Sequence, residues 1–482
     1  MVIVQAEIPE IIQGGMGIGV SGWRLAGAVA RAGAMGVVSG VALDTIMARK
    51  LQDGDPGSHI REALDAFPVP EISRYVLDRY WNPRGRTAGS PYRLLARPSF
   101  SPSPQRQWVS VLSAFTEVYL AKHAAQGGGA VGINFLEKVQ LSNPPALFGA
   151  MLAGVDAVLV GAGIPAKFPE MLKAFARHER FELPVDVEGA GREQHRLVFD
   201  PASVIGKTLA EMHAPRFLAI VSSDTLATFL ARDPATRPDG FVVESPEAGG
   251  HNAPPRGQLR LDDRGEPIYG PRDRADLGKL AGLGLPFWLA GGQSHSDSLS
   301  RARRRGARGI QTGTLFALCD ESGIEPRLRR EMLARLARGE LTVRSDPNAS
   351  PTGFPFKLAD LEGTMSDPDV RLARERSCDL GYLRTPYITP KGTVSYRCPA
   401  ERTASFLHKG GSEAATAGRL CLCNGLMSNI GLGQTRRGGY SEPPAVTLGA
   451  DLSGPAEMLL THPEGWDAGD AVRFLSGTEA VG

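Results

Sequence analysis

His251 closes the run Glu247-Ala248-Gly249-Gly250-His251, just after an apolar stretch that ends at Glu244. An imidazole there could serve as a general base near neutral pH, and the paired glycines beside it would leave room for a ring system. The plainer alternative is a loop histidine bonded to its neighbours. Gln13-Gly14-Gly15-Met16-Gly17 offers a second such place. Its adjacent glycines either bring backbone close to a flat ligand or form a tight turn that needs positive φ. Ala290-Gly291-Gly292 and Gln311-Thr312-Gly313-Thr314 lie on successive apolar stretches. Loops of that kind bind phosphate through glycine amides and a helix N-terminus, and Thr314 adds a hydroxyl donor.

The elements that must position these loops alternate along the chain. Residues 8–13 read as a strand, 22–32 as a helix and 36–39 as a second strand. Apolar runs at 132–135, 157–160, 217–221, 240–244, 286–289 and 309–311 follow, most with a helical stretch between them. That makes eight short strands, the number that closes a TIM barrel. The expected fold is therefore α/β, a (β/α)8 barrel over residues 1–345 with a loop-rich C-terminal extension over 346–482. Residues 41–106 break the rhythm, and the Pro-, Arg- and Ser-rich part at 81–105 reads as an insertion over the barrel. Residues 183–199 read as an inserted β-hairpin with its tip at Gly189-Ala190-Gly191. In a barrel enzyme the chemistry sits on the loops after the strands' carboxyl ends, where all of these motifs fall.

Taken in order, Ile-Gln-Gly-Gly-Met at 12–16, Gly-Ile-Asn at 132–134, Gly-Ala-Gly at 161–163, Glu-Ala-Gly-Gly-His at 247–251, Ala-Gly-Gly at 290–292 and Gln-Thr-Gly-Thr at 311–314 resemble the nitronate monooxygenase (2-nitropropane dioxygenase-like) family. They are similar also to the flavin-type enoyl-acyl-carrier-protein reductases, and the resemblance covers roughly residues 7–330. It implies FMN. Gln13, Gly14, Gly15, Met16, Asn134, Gly161 and Gly163 would surround the isoalloxazine and ribityl chain. Gly249, Gly250, Gly291, Gly292, Gln311, Gly313 and Thr314 would hold the phosphate. His251 matches the histidine near the flavin, a candidate base or anion-stabilising group, and Glu247 matches the acidic residue of the reductase motif. The chain departs from the pattern after His251, with Asn252-Ala253-Pro254-Pro255-Arg256-Gly257 in place of a short turn. Its insertions, its tail and the run at 350–357 look more like the long branch that includes the enoyl reductases of polyunsaturated fatty acid and polyketide pathways.

Three functions stay open at this stage. One is oxidation of an alkyl nitronate or similar carbanion by FMN and molecular oxygen. Another is NAD(P)H-dependent reduction of an enoyl thioester, with the insertions docking an acyl carrier protein. The third is a non-catalytic flavin-binding subunit.

Four of the five cysteines, Cys378, Cys398, Cys421 and Cys423, crowd into the tail. Four thiolates are what a structural zinc or an iron–sulfur cluster requires. A four-iron cluster could exchange electrons with a flavin, and zinc could staple a loop-rich tail. Against both, Cys-x-Cys is tighter than the usual spacing, which leaves free cysteines packed in the tail as the alternative.

Bulk composition narrows the partners. With 54 Lys+Arg against 52 Asp+Glu, no charge excess points to nucleic acid or a membrane surface. The basic run at 301–308 reads as the solvated face of a helix. No apolar stretch is long enough to span a membrane, residues 1–10 lack a signal-peptide pattern, and few cysteines suggest a reducing cytoplasm. The expected ligand is a small molecule, and the oligomeric state is left open.

Overall fold

The computed structural model describes residues 7–207, 209–436 and 438–478. In chain order, β1 (Ile11–Gln13) leads through α1 (Trp23–Arg31) to β2 (Met35–Ser39). Next come α2 (Leu43–Gln52), α3 (His59–Asp65), α4 (Pro70–Tyr80), an irregular stretch at 81–103 and the long α5 (Pro104–Ala125). They are followed by β3 (Val131–Leu136), α6 (Asn143–Leu152), β4 (Ala157–Gly161), α7 (Phe168–Ala176), β5 (Phe181–Val185), β6 (His195–Phe199) and α8 (Pro201–Ile205). Then β7 (Arg216–Val221), α9 (Asp224–Arg232), β8 (Gly240–Glu244), α10 (Leu277–Ala281), β9 (Phe287–Ala290), α11 (Ser298–Arg304), β10 (Gly309–Thr312), α12 (Thr314–Ala317) and α13 (Pro326–Ala337) complete this part. Beyond them lie β11 (Val343–Asp346), β12 (Phe356–Ala359), α14 (Pro368–Ala373), β13 (Thr385–Ile388), β14 (Val394–Arg397), α15 (Thr403–His408), α16 (Leu422–Asn429), α17 (Ser453–Thr461) and α18 (Ala468–Ser476).

The eight expected strands close into one parallel barrel in the order β1-β10-β9-β8-β7-β4-β3-β2. Their near-continuous apolar runs follow from burial on both faces. Ile12, Val37, Leu159, Leu218, Val242 and Trp288 fill the interior, while Val38, Ile133, Val158, Phe217 and Phe241 face the helices. The interior is a packed core, not a pore. Trp288 donates to Pro9 O at 2.9 Å, tying the chain entry to the barrel.

The insertions form as the turn residues suggested, with one refinement. β5 and β6 pair antiparallel, Phe181 opposite Phe199 and Val185 opposite His195. Within the 41–106 insertion, 41–80 is mostly helical and 81–103 irregular, and α5 already begins at Pro104, where Ser103 Oγ accepts from Arg106 N at 3.2 Å. The basic run lies on and just after α11, with Arg301 half-buried and Arg303 exposed, paired to Asp297 and Glu10 respectively. The N-terminal stretch read for a signal peptide lies outside the described residues over 1–6.

The tail shares the outer core of the barrel. Trp466 is buried and donates to Leu315 O at 3.0 Å, and α18 packs on α1. A buried polar network binds insertion to tail as well. Asp44 of α2 pairs with Arg106 of α5 at 2.6 Å and accepts from the Tyr382 hydroxyl, which also bonds Thr45 at 2.8 Å. Burial pushes the Asp44 carboxyl up, but the Arg106 charge and the Tyr382 hydroxyl outweigh it and hold it below the usual range. Breaking such a pair leaves a charge buried and uncompensated. Asp44→Asn should lower unfolding free energy by about 3–5 kcal/mol in urea titration. A change within experimental error would mean that water reaches Arg106.

Candidate functional site

Strand alternation builds the floor of the site. Val37, Leu159, Leu218 and Val242 point into the barrel, so the residues two further along on the same faces are Ser39, Gly161, Ile220 and Glu244. All four line a cleft at the carboxyl ends of the strands, with Asn134 and Gln311 beside them. The cleft encloses about 1460 Å³ of space, counting solvent at its mouth. Its walls are the glycine loops. Gly14, Gly15 and Met16 line one side, and Glu247, Gly249, Gly250 and His251 another. Gly291, Gly292, Gly313 and Thr314 line it too. Gly291 and Gly292 have φ of +81° and +63°, a pair of left-handed residues that glycine alone adopts easily.

The tail supplies the roof. Residues 250–252 run antiparallel to 355–357, with Lys357 N donating to Gly250 O and Asn252 N to Pro355 O, each at 3.0 Å. Gly449 N donates to Thr314 Oγ1 at 2.8 Å and Ala450 N to Glu247 O at 2.9 Å. A Cβ on Gly249 would stand 2.8 Å from Leu448 C, so only glycine admits the tail this closely. Phe356, Tyr382, Leu383, Leu422, Leu426, Thr447, Leu448 and Asp451 thereby join the lining.

The electrostatics divide the ionisable groups by role. Burial, with a smaller push from Lys138, lowers the His251 pKa to about 4, so the ring is neutral at pH 7. Its Nε2 bonds Ser350 Oγ at 2.7 Å, Ser350 bonds Thr352 Oγ1 at 2.8 Å, and the ring meets the Phe356 edge at 4.9 Å. Burial raises Glu244 to about 7, opposed by the Lys357 charge. Burial lowers Lys357 to about 8, opposed by Glu244. The Lys357 ammonium donates to Pro246 O and to Asn252 Oδ1, each at 2.7 Å.

Several expected site residues do something else. Gln13 does not line the cleft. Its Oε1 accepts from Val37 N at 3.0 Å and its Nε2 donates to Ser21 Oγ at 2.9 Å, so it staples β1 to β2 and to the turn before α1. Gly163 lies away from the cleft, facing the Glu137 side chain. Glu247 lines the cleft, yet Arg274 donates to its carboxylate at 3.3 Å; against burial, which raises it, that pairing holds the carboxyl below its usual range. It is an ionised anchor and not a proton donor at neutral pH. Cys378, Cys398, Cys421 and Cys423, the four read either as metal ligands or as packed thiols, are free cysteines here. Among the described residues no three His, Cys, Asp or Glu side chains are placed to hold a metal ion. Cys398, Cys421 and Cys423 pack into the outer core as small apolar groups, and Cys423 also touches the cleft.

Sequence reasoning missed Glu244, Lys357 and Ser350 as site residues. Glu244 carries a signal in retrospect: it is a carboxylate on the inward phase of an otherwise apolar strand. Lys357 and Ser350 bound the one tail run singled out for its likeness, but nothing local says that it folds over His251.

No protein-family model and no curated protein matches the chain. Among solved structures, nitroalkane oxidase from Streptomyces ansochromogenes is similar over 98% of this chain and 95% of its own, at 13% identity and a TM-score of 0.44. FabK from Thermotoga maritima is similar over 75% and 73%, at 16% identity and 0.39. The enoyl reductase domain of MlnA, from the macrolactin biosynthesis cluster of Bacillus amyloliquefaciens, is similar over 74% and 64%, at 12% identity and 0.38.

The cysteine environment gives a direct check. Burial pushes the thiols of Cys378, Cys398, Cys421 and Cys423 up, the last to about 12. The thiolate is the reactive form. An aromatic disulfide reagent at pH 8 should therefore label the native protein far more slowly than the urea-unfolded chain. Rapid labelling of these four in the native state would contradict their packing.

Proposed function

We propose that the cleft binds FMN and that the protein is an oxidoreductase of the nitronate monooxygenase type, oxidising alkyl nitronates or similar carbanions with molecular oxygen. The observation that carries this reading is convergence. Six glycine-bearing motifs spread over residues 12–314 meet on one cleft at the mouth of a barrel, in the places the motif resemblance gives to flavin.

The residues present fit the group. Gln311 Oε1 is buried on the cleft wall without a hydrogen-bond partner, an acceptor suited to a ring N–H. A Cβ on Gly15 would stand 2.5 Å from Asn134 Cβ, so only glycine lets the Gly14–Met16 turn pack this closely on Asn134, with both residues on the cleft wall. No Lys or Arg lines the cleft among the described residues. Amides at Gly291, Gly292, Gly313 and Thr314 would take the phosphate, as barrel loops after the last two strands do. When bound, flavin supplies the redox chemistry. The chain's own part is position and electrostatics. If Ser350 donates to Nε2, the neutral His251 ring carries its proton on Nδ1. It is then a hydrogen-bond donor for a bound anion and a poor base.

The purified protein should be yellow and release FMN, and ethyl nitronate should drive oxygen uptake without NADPH. His251→Ala should keep the flavin and lower kcat/KM about 10²- to 10⁴-fold. A colourless protein that takes up no FMN would sink the reading. Anaerobic bleaching of the flavin by NADPH, with no oxygen uptake on nitronate, would instead support the enoyl-thioester reductase, with an acyl carrier protein as partner.

A further inference from the structure

Glu244 lines two cavities at once. One is the main cleft. The other is a small polar side cleft bounded by Ser222, Ser245, Asn252, Arg256, Tyr269 and Asp273, of which Arg256 is exposed and Asp273 half-buried. The carboxyl stands at the end of β8, two residues past the interior Val242, and is the ionisable member of the cleft floor. Towards the barrel core the apolar layer of Val242, Leu218 and Trp288 closes the way, so a proton it holds has two ways out, into the main cleft or into the side cleft.

We propose that Glu244 is the proton-exchange group of the site, taking a carbon-bound proton from a neutral carbon acid in the main cleft and releasing it to solvent through the side cleft. The inference takes its substrate class from the nitronate reading above. For a nitroalkane, the α C–H bond breaks, its electron pair stays with the substrate as the nitronate, and an O–H bond forms on Glu244. Water in the side cleft then accepts that proton and restores the carboxylate. No electrons change hands in this step, so no oxidant is needed.

The surroundings suit this role better than those of His251. A base works best with a pKa near the operating pH, and Glu244 lies near 7 where His251 lies near 4. From β12, the buried Lys357 ammonium faces the carboxyl and stabilises its ionised form. In the loop after β8, Glu247 is held by Arg274, and the His251 ring is neutral. Glu266 adds its charge on the Lys357 side, and Arg256 and Asp273 line the side cleft, where Asp273 accepts from Arg256 N at 2.7 Å. The substrate is thus made into its anion at one carboxyl and received by a neutral donor at another residue.

Two measurements test the assignment. In flavin-free protein, infrared titration should show a protonated-carboxyl band that disappears with a midpoint near 7 and is missing from Glu244→Gln. In flavin-loaded protein without oxygen, NMR should show washout of deuterium from α-deuterated nitroethane, rising with pH through the same midpoint. Glu244→Gln should slow that washout about 10²-fold or more and remove its pH break. A variant that exchanges as fast as wild type, or a wild type that exchanges none, overturns the proposal. Oxygen uptake on preformed ethyl nitronate judges the parent reading separately, since it needs no proton abstraction.

Discussion

Residues 250–252 and 355–357 lie side by side as two short antiparallel segments, and much of the site hangs on that pairing. It is backbone against backbone, and just before it Gly249 has no room for a Cβ against Leu448, a second segment of the same tail. It brings Phe356 against the His251 ring and places Ser350 on its Nε2. It also carries Lys357 beneath the loop, where the ammonium holds Pro246 and Asn252. A barrel alone would leave His251 in water, where imidazole titrates near its ordinary value. Covered by the tail, the ring stays neutral.

The same cover explains how the ionisable groups separate. In a low-dielectric cleft, burial disfavours every charge, and only specific partners restore one. Glu247 has Arg274 and stays ionised. Glu244 has only the more distant Lys357 charge and is left close to neutral pH. His251 has a hydroxyl and a ring edge, neither of which carries a negative charge, and the Lys138 charge opposes its cation. The three side chains thus differ in charge at neutral pH: Glu247 is ionised, Glu244 lies near its midpoint and His251 is neutral.

The barrel was legible because its strands are buried on both faces and so read as short apolar runs between helices. The hairpin was legible from its glycine tip. The glycine loops were legible as cleft walls because close approach demands that residue. What stayed hidden is what depends on long-range contact: His251 and Ser350 are 99 residues apart. Gln13 looked like a ligand donor, but its amide satisfies backbone groups inside the barrel wall. The cysteines crowd in sequence because that part of the tail is core, and clustering alone does not distinguish packing from ligation.

On the proposed reading, barrel and tail together form the flavin cleft. A crystal structure of the protein with FMN tests it most directly. The expected result is a ring held between the Gly14–Met16 turn and the Leu448–Gly449 backbone, with the phosphate against Gly291, Gly292 and Gly313. A ring bound with the tail displaced, or FMN bound elsewhere on the molecule, would contradict it.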